Sequence, residues 1–174
     1  IRLGANRWTP ATGGGALMEL GCYPVHWTRA LIGAFHVVEA HMHIAESGVD
    51  DRTSVRFAAR DSGVTGTMMC SMEPHDRGRR TTLTIVGEEG EVFVRNPVAP
   101  QMGFEFRWQH NGVWRDETFE APSSYACQLE AICNGLTSAT PLPTEGDDIV
   151  GNIAAIEAIL AASDGPSSDC RSVD

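Results

Sequence analysis

The sequence predicts an α+β fold: an open, largely antiparallel sheet of about seven strands with helices packed on one face. Three observations carry that expectation. Apolar and polar residues alternate with period 2 through the middle of the chain. Helical patterns precede and follow that stretch. Turns of hairpin length, such as Asp61-Ser62-Gly63 and Asn111-Gly112, separate the alternating runs.

Residues 1–15 hold Pro10 and three consecutive glycines without an apolar period, so they read as loop. Residues 16–33 are helical in composition and stop at Gly33, a good residue to follow a helix. Pro24 is comfortable only in a first turn. The regular helix is therefore expected to start near Cys22 or Tyr23, with Ala16 to Gly21 a separate short turn. In the first strand Val38, Ala40, Met42 and Ile44 point one way, and Glu39, His41 and His43 the other. Val55, Phe57 and Ala59 oppose Arg56 and Arg60, and Phe104, Phe106 and Trp108 oppose Glu105 and Arg107. Further strands are expected at 65–72, 81–86, 91–95 and 113–119. A helix over 123–135 places Leu129, Ile132 and Leu136 along one side. A second, over 145–162, has Thr144 as N-cap, acids in its first turn, and a stripe of Ile149, Ile153, Ile156 and Leu160. The tail from Ser163 to Asp174 is polar and reads as loose.

The 174 residues fit one domain. With 42% apolar and 21% charged residues the chain has a globular composition. Its net charge of −10 repels phosphate, which argues against nucleic acid and anionic membrane as partners. All 13 basic residues are arginines, so Schiff-base chemistry, a lysine base and a P-loop are excluded from within this chain. Cys22, Cys70, Cys127, Cys133 and Cys170 form no C-x-x-C pair, which fits a reducing cytoplasm. The sequence contains neither an apolar run as long as a membrane span, ~18 residues or more, nor a charged-then-apolar leader pattern, so neither a span nor a signal peptide is expected within it. The chain opens on Ile1, so it reads as processed or as a piece of something longer.

Glu19, Tyr23 and His26 fall at i, i+4 and i+7 and share one helical face. A carboxylate, a phenol and an imidazole are the usual ingredients of proton transfer. The same spacing describes an amphipathic helix with three solvated polar residues, and spacing alone favours that plainer reading. Gly13-Gly14-Gly15 follows no strand and is no dinucleotide fingerprint; such glycines serve positive φ or close backbone approach. His41, His43 and Glu39 share a strand face, which a solvated sheet explains without a metal. Met68, Met69 and Met72 read as a packing surface, Arg77, Arg79 and Arg80 as a solvated hairpin, and Cys22 as packing with no activating base beside it.

The segment GGGALMELGCYPVHWTRALIG resembles the G-G-G-x-L-x-D-x-G-x-(H/Y)-x-x-D signature of the glucose–fructose oxidoreductase, inositol dehydrogenase and rhizopine-catabolism (Gfo/Idh/MocA) family. The resemblance continues in order through nearly the whole chain. Arg7-Trp8 precedes the glycines, and VDDRTSVRFAARDSGVTGTMMCSM and TLTIVGEEGEV are similar to two family hairpins. Tyr125, Gln128 and Glu130 lie in a stretch similar to its Y-x-x-Q-x-E-A helix, followed by Pro141 and D-D-I-V-G-N-I. It implies that residues 1–174 form a C-terminal substrate-binding and oligomerisation domain. It further implies a Rossmann domain, not part of this sequence, that holds NAD or NADP and supplies the lysine of a Glu-Lys-Pro motif.

By that resemblance Tyr23 and Glu19 are the catalytic residues, Tyr23 exchanging a proton with a substrate hydroxyl while a hydride passes to the nicotinamide. A free phenol, with a pKa near ~10, needs a nearby cation for this at neutral pH. Glu19 stands where the family has Asp, keeping the carboxylate with a longer reach. His26 replaces a second Asp and is expected to touch substrate together with Gly14 and Gly15. The tyrosine form resembles the glucose–fructose oxidoreductase, dihydrodiol dehydrogenase and xylose dehydrogenase branches more than inositol dehydrogenase. The implied function is the substrate half of an NAD(P)-dependent oxidoreductase acting on a sugar, polyol or related hydroxyl or carbonyl compound. The alternative, kept open by the departures at Glu19 and His26, is a non-catalytic sensing relative. The implied partners are a small-molecule substrate and further copies of the chain. Glu39, His41, His43, Arg56, Arg60, Glu105 and Arg107 are expected on one sheet face of mixed charge, suited to a homodimer or homotetramer.

Overall fold

The computed structural model describes residues 6–73, 81–120, 122–138, 141–142 and 144–164. In chain order the elements are α1 (Cys22–Ile32), β1 (Phe35–Ile44), β2 (Asp50–Ala59), β3 (Thr65–Ser71), β4 (Thr82–Val86), β5 (Gly90–Arg95), β6 (Glu105–His110), β7 (Val113–Glu117), α2 (Ser124–Ser138), α3 (Asp147–Ala162) and β8 (Ser163–Asp164). The α+β class and the antiparallel hairpins are as expected. The single seven-stranded sheet is not. One sheet has the order β3-β2-β1-β8 and a second has β4-β5-β6-β7. β3 ends at Ser71 and β4 begins at Thr82, a separation longer than the ~2–5 residues of a hairpin loop, so the two strands need not be neighbours in one sheet. The chain accordingly forms two compact units, residues 1–73 with 144–174, and residues 74–143. The mixed-charge face expected from the sequence is divided with them. Glu39, His41, His43 and Arg56 belong to the first sheet, Glu105 and Arg107 to the second, and Arg60 lies just past β2.

In the first unit one sheet face is covered by α1, α3 and the turn before α1. Val25 of α1 and Ile156 and Ile159 of α3 are at most 1% exposed and share one core with Ala40, Val55 and Phe57. Burying each such aliphatic side chain contributes roughly 1.5–3 kcal/mol. The Phe57 ring packs against Phe35 at 5.3 Å between centroids, tilted by 49°, and covers Gly66 of the edge strand β3, where a Cβ would strike its ring. Val38 departs from the expected alternation. A bulge between Val37 and Glu39 changes the phase of β1, so Phe35 and then Ala40 and Met42 face the core while Val38 is 49% exposed. Met68 and Cys70 point inward and Met69 outward, at 70% exposure, so the methionines are not one packing surface.

Helix α3 also buries a different stripe. Ile156 and Ile159 are buried, whereas Ile149, Ile153 and Leu160 are 40–55% exposed. The helix is apolar around much of its circumference, and spacing offers more than one inner face. It begins after Gly146 rather than Thr144, keeping Asp147 and Asp148 in its first turn. Just beyond it, Ser163 and Asp164, expected to be loose, pair in parallel with Ala40 and His41.

The second unit is a four-stranded antiparallel sheet followed by α2. Asn111 and Gly112, with φ of 50° and 78°, make the β6–β7 turn. Alternation holds along β6. Arg107 lies between the rings of Phe93 and Trp114, at 5.1 and 4.8 Å, while Phe106 and Trp108 face the opposite side. Leu129, Ile132 and Leu136 of α2 share a side of the helix as expected, but they are 40–83% exposed. Among the described residues no helix is long and apolar enough to cross a membrane. Arg77, Arg79, Arg80 and Cys170 lie outside the described residues.

Candidate active site

The glycine run and the helix after it form one continuous feature on the first sheet. Gly13 takes a left-handed φ of 71°, and Gly14 and Gly15 donate to Thr9 O and Arg7 O at 3.1 and 2.9 Å. A Cβ on Gly14 would meet the Arg7 carbonyl at 2.5 Å, and one on Gly15, whose φ is 131°, would collide with the Asp50 carboxyl. These are the close approaches expected of the glycines, made to protein backbone and to a carboxyl. Leu17–Gly21 then form a π turn that runs without interruption into α1. Pro24 accounts for the location. It lacks an N–H and crowds the carbonyl four residues back, and the wider turn directly upstream relieves that crowding.

This run presents Met18, Glu19, Leu20 and Tyr23 outward, with Tyr23 44% exposed. The ring of Tyr23 lies 6.4 Å from that of Trp27. No described residue is hydrogen-bonded to the side chain of Glu19 or Tyr23. Both are left open to a ligand on a helix whose underside is packed.

His26 has a neighbour that the sequence reading missed. Its Nδ1 lies 3.4 Å from Asp148 Oδ2 on α3, and Arg29 Nη1 donates to Asp148 Oδ1 at 2.8 Å and to the Asp148 carbonyl at 3.1 Å. Asn152 adds a donor to Cys22 O at 3.4 Å. Arg29 can lie across α3 because residue 151 is glycine; a Cβ there would collide with its guanidinium. His26 is thus on the open face but tethered at one edge, with a third of its side chain exposed. The sequence hint was present: acids opening α3, and an arginine one turn after His26 on α1.

Asp50 was also missed as a site residue. It is 8% exposed, and its Oδ2 accepts from Leu17 N at 2.8 Å and from Thr53 Oγ1 at 2.6 Å. Its Asp-x-x-Thr spacing is the available signal. Beneath the π turn, burial raises the thiol pKa of Cys22, and that of Cys70 is pushed up to about 12 by burial and the neighbouring Asp50 charge. Cys22 therefore behaves as packing, as read from the sequence.

Elsewhere on the first sheet, Glu39 holds His41 at 2.9 Å and Arg56 at 2.8 Å, and Asp51 holds His43 at 2.6 Å. Among the described residues no three His, Cys, Asp or Glu side chains are grouped to hold a metal ion. In the second unit a hollow of about 610 Å³ is lined by Ile85, Val92, Phe106, Trp108 and Phe119, with Glu117 accepting from Trp108 Nε1 at 3.0 Å. None of the residues singled out for proton transfer lines it.

Comparison with known proteins agrees with this architecture. D-xylose 1-dehydrogenase (NADP(+)) 2 of Haloferax volcanii is 26% identical over 161 residues, 91% of this chain and 48% of the relative. KijD10, a 3-ketoreductase from Actinomadura kijaniata solved with NADP and TDP-benzene, superposes with a TM-score of 0.79 at 18% identity, covering 94% of this chain and 50% of that one. The aldose–aldose oxidoreductase of Caulobacter crescentus, complexed with glycerol, gives a TM-score of 0.79 at 23% identity over 92% of this chain and 50% of that one. The chain spans about half the length of each. The family model described as the GFO/IDH/MocA C-terminal domain matches residues 2–93, more than half of the sequence. The chain belongs to the GFO/IDH/MocA C-terminal domain family.

Proposed function

We propose that this chain is the substrate-side half of an NAD(P)-dependent oxidoreductase acting on a sugar, polyol or related hydroxyl or carbonyl compound. The observation that carries this reading is the open face of the helical run. Glu19 and Tyr23 stand exposed and unbonded to described residues, on a helix fixed to the sheet below. In oxidation Tyr23, acting as its phenolate, takes the O–H proton of the substrate carbinol and becomes the phenol while the C–H hydrogen leaves with its electron pair as hydride, giving a carbonyl; in reduction the phenol returns the proton as hydride adds to the carbonyl carbon. A bound nicotinamide supplies the hydride acceptor or donor. Glu19 tunes or orients Tyr23, and His26 contacts the substrate from the tethered edge of the same face.

Within the described residues the glycine run follows short turns instead of a strand, and β1 with β8 is the parallel pair. Neither is a cradle for a pyrophosphate. In this reading the dinucleotide is held by an additional domain, and the relative's name supports NADP as the cofactor. The four described cysteines are free, which suits a reducing cytoplasm.

The test is Tyr23→Phe, made in the protein that carries this chain with its nucleotide-binding domain. It is assayed against aldoses, polyols and dihydrodiols with NAD and NADP. A positioned acid–base group contributes roughly 10²–10⁴-fold, so kcat/KM should fall within that range while nucleotide affinity is retained. Glu19→Gln should cost less. Retention of more than half of the activity in Tyr23→Phe would reassign proton transfer, with His26 the next residue to test. Absence of turnover by the unaltered protein across the panel would favour the sensing alternative.

A further inference from the structure

Asp50 is a buried acid with no ion-pair partner among the described residues. Its position gives it a use. Oδ2 accepts two bonds, from the amide of Leu17 at the first residue of the π turn and from the hydroxyl of Thr53, a β2 residue 1% exposed. Oδ1 faces Gly15, where the lack of a side chain leaves it room. The far end of the turn meets the sheet by close packing instead of a hydrogen bond. A Cβ on Gly21 would come within 3.1 Å of Cys70 Sγ on β3. The π turn is therefore pinned at its start to β2 and rests at its end on β3, with Glu19 on the exposed span between.

We propose that Asp50 is a positioning residue, its carboxyl setting the height of the π turn over the sheet and hence the reach of Glu19 and Tyr23. This rests on the reading of that face as the proton-transfer site. Leu17 N–H is one of the amides that a helical segment leaves without an internal acceptor at its start, and a carboxyl is a favourable partner there. A cap supplied from 33 residues away does more than stop fraying, because it fixes the segment to another element. Thr53 holds that carboxyl in place, so the anchor is a chain of three groups: Thr53 hydroxyl, Asp50 carboxyl, Leu17 amide.

The experiment compares Asp50→Asn, Asp50→Ala and Thr53→Val in the protein that carries this chain with its nucleotide-binding domain. It reads kcat, KM for both reactants, and hydrogen exchange at the Leu17 amide. Asn keeps an oxygen acceptor and should restore most of what Ala loses. Displacement by an ångström costs up to about a hundredfold, so Asp50→Ala should lower kcat roughly ten- to a hundredfold, with nucleotide KM unchanged and Leu17 exchange faster. Thr53→Val should give a smaller fall in the same quantities, and it carries the test if Asp50→Ala does not fold. Faster Leu17 exchange with kcat unchanged would overturn the positioning role. That result leaves the proton-transfer reading intact, since Tyr23→Phe tests that reading separately.

Discussion

At the residue scale, charge and burial beneath the π turn decide what Cys70 can do. Its thiol is pushed from an ordinary 9.0 to about 12, first by burial and then by the charge of Asp50, because a thiolate there would be both poorly solvated and repelled. A group whose folded pKa lies above its unfolded one contributes stability that is complete below the unfolded value. That contribution is lost as pH rises through the folded value. The window here runs from about pH 9 to about pH 12. Denaturant midpoints should fall with pH above 9, and Cys70→Ala, though less stable throughout, should show a shallower decline. Labelling with a thiol reagent near neutral pH should modify exposed Cys127 and Cys133 while sparing Cys70 until the chain unfolds. Rapid native-state labelling of Cys70 would contradict the burial on which both predictions stand.

At the scale of elements, the joint between α1 and α3 is polar, and its acid is shared. Asp148 serves Arg29 and His26 together, with both Arg29 and Asp148 less than one-third exposed. Removing one partner from a charged hydrogen bond costs about 1.5–3 kcal/mol, so Asp148→Ala should lower stability by roughly that amount. A double-mutant cycle with Arg29→Met should be non-additive, read from urea midpoints. Additive losses would mean that the contact contributes nothing to holding the helices together. This joint also marks how far the sequence was legible. Strand alternation in β2 and β6, the Asn111-Gly112 turn and the Gly33 stop are local signals, and each appears where expected, whereas the bulge that shifts β1 at Val38 left no local mark. The face of α3 that packs inward is not local. It depends on where Arg29 crosses Gly151, and a helix apolar on most sides does not announce it. The division into two sheets was hidden for the same reason, since hairpin turns specify neighbours and not the limits of a sheet. For the candidate site, spacing made legible the shared exposed face of Glu19 and Tyr23 with His26 at its edge, and the close backbone approach at Gly14 and Gly15. Asp50 and Asp148 reach the site across 33 and 122 residues of chain, from Leu17 and His26 respectively, and no local pattern connects them to it.

For the whole molecule, the question is what meets the uncovered face of the first sheet. Helices cover one side, and the other carries Glu39, His41, Ser54, Arg56 and Met69 across neighbouring strands. The sequence pointed to mixed charges as the basis of self-association. The structure shifts the emphasis, because Glu39 already pairs with both His41 and Arg56 within the chain. Exposed pairs of this kind contribute little to association and are screened by salt. Met69, 70% exposed in the edge strand, and Val38, 49% exposed at the bulge, are the apolar groups left to bury. A two-fold contact through this face should therefore tolerate salt and depend on Met69. Sedimentation at micromolar concentration is expected to show a dimer or larger species at both low and high salt, and Met69→Arg should shift it toward monomer without loss of fold. A dimer that dissociates in high salt but survives Met69→Arg would return the contact to the charges. A monomer under every condition would rule out self-association through this sheet.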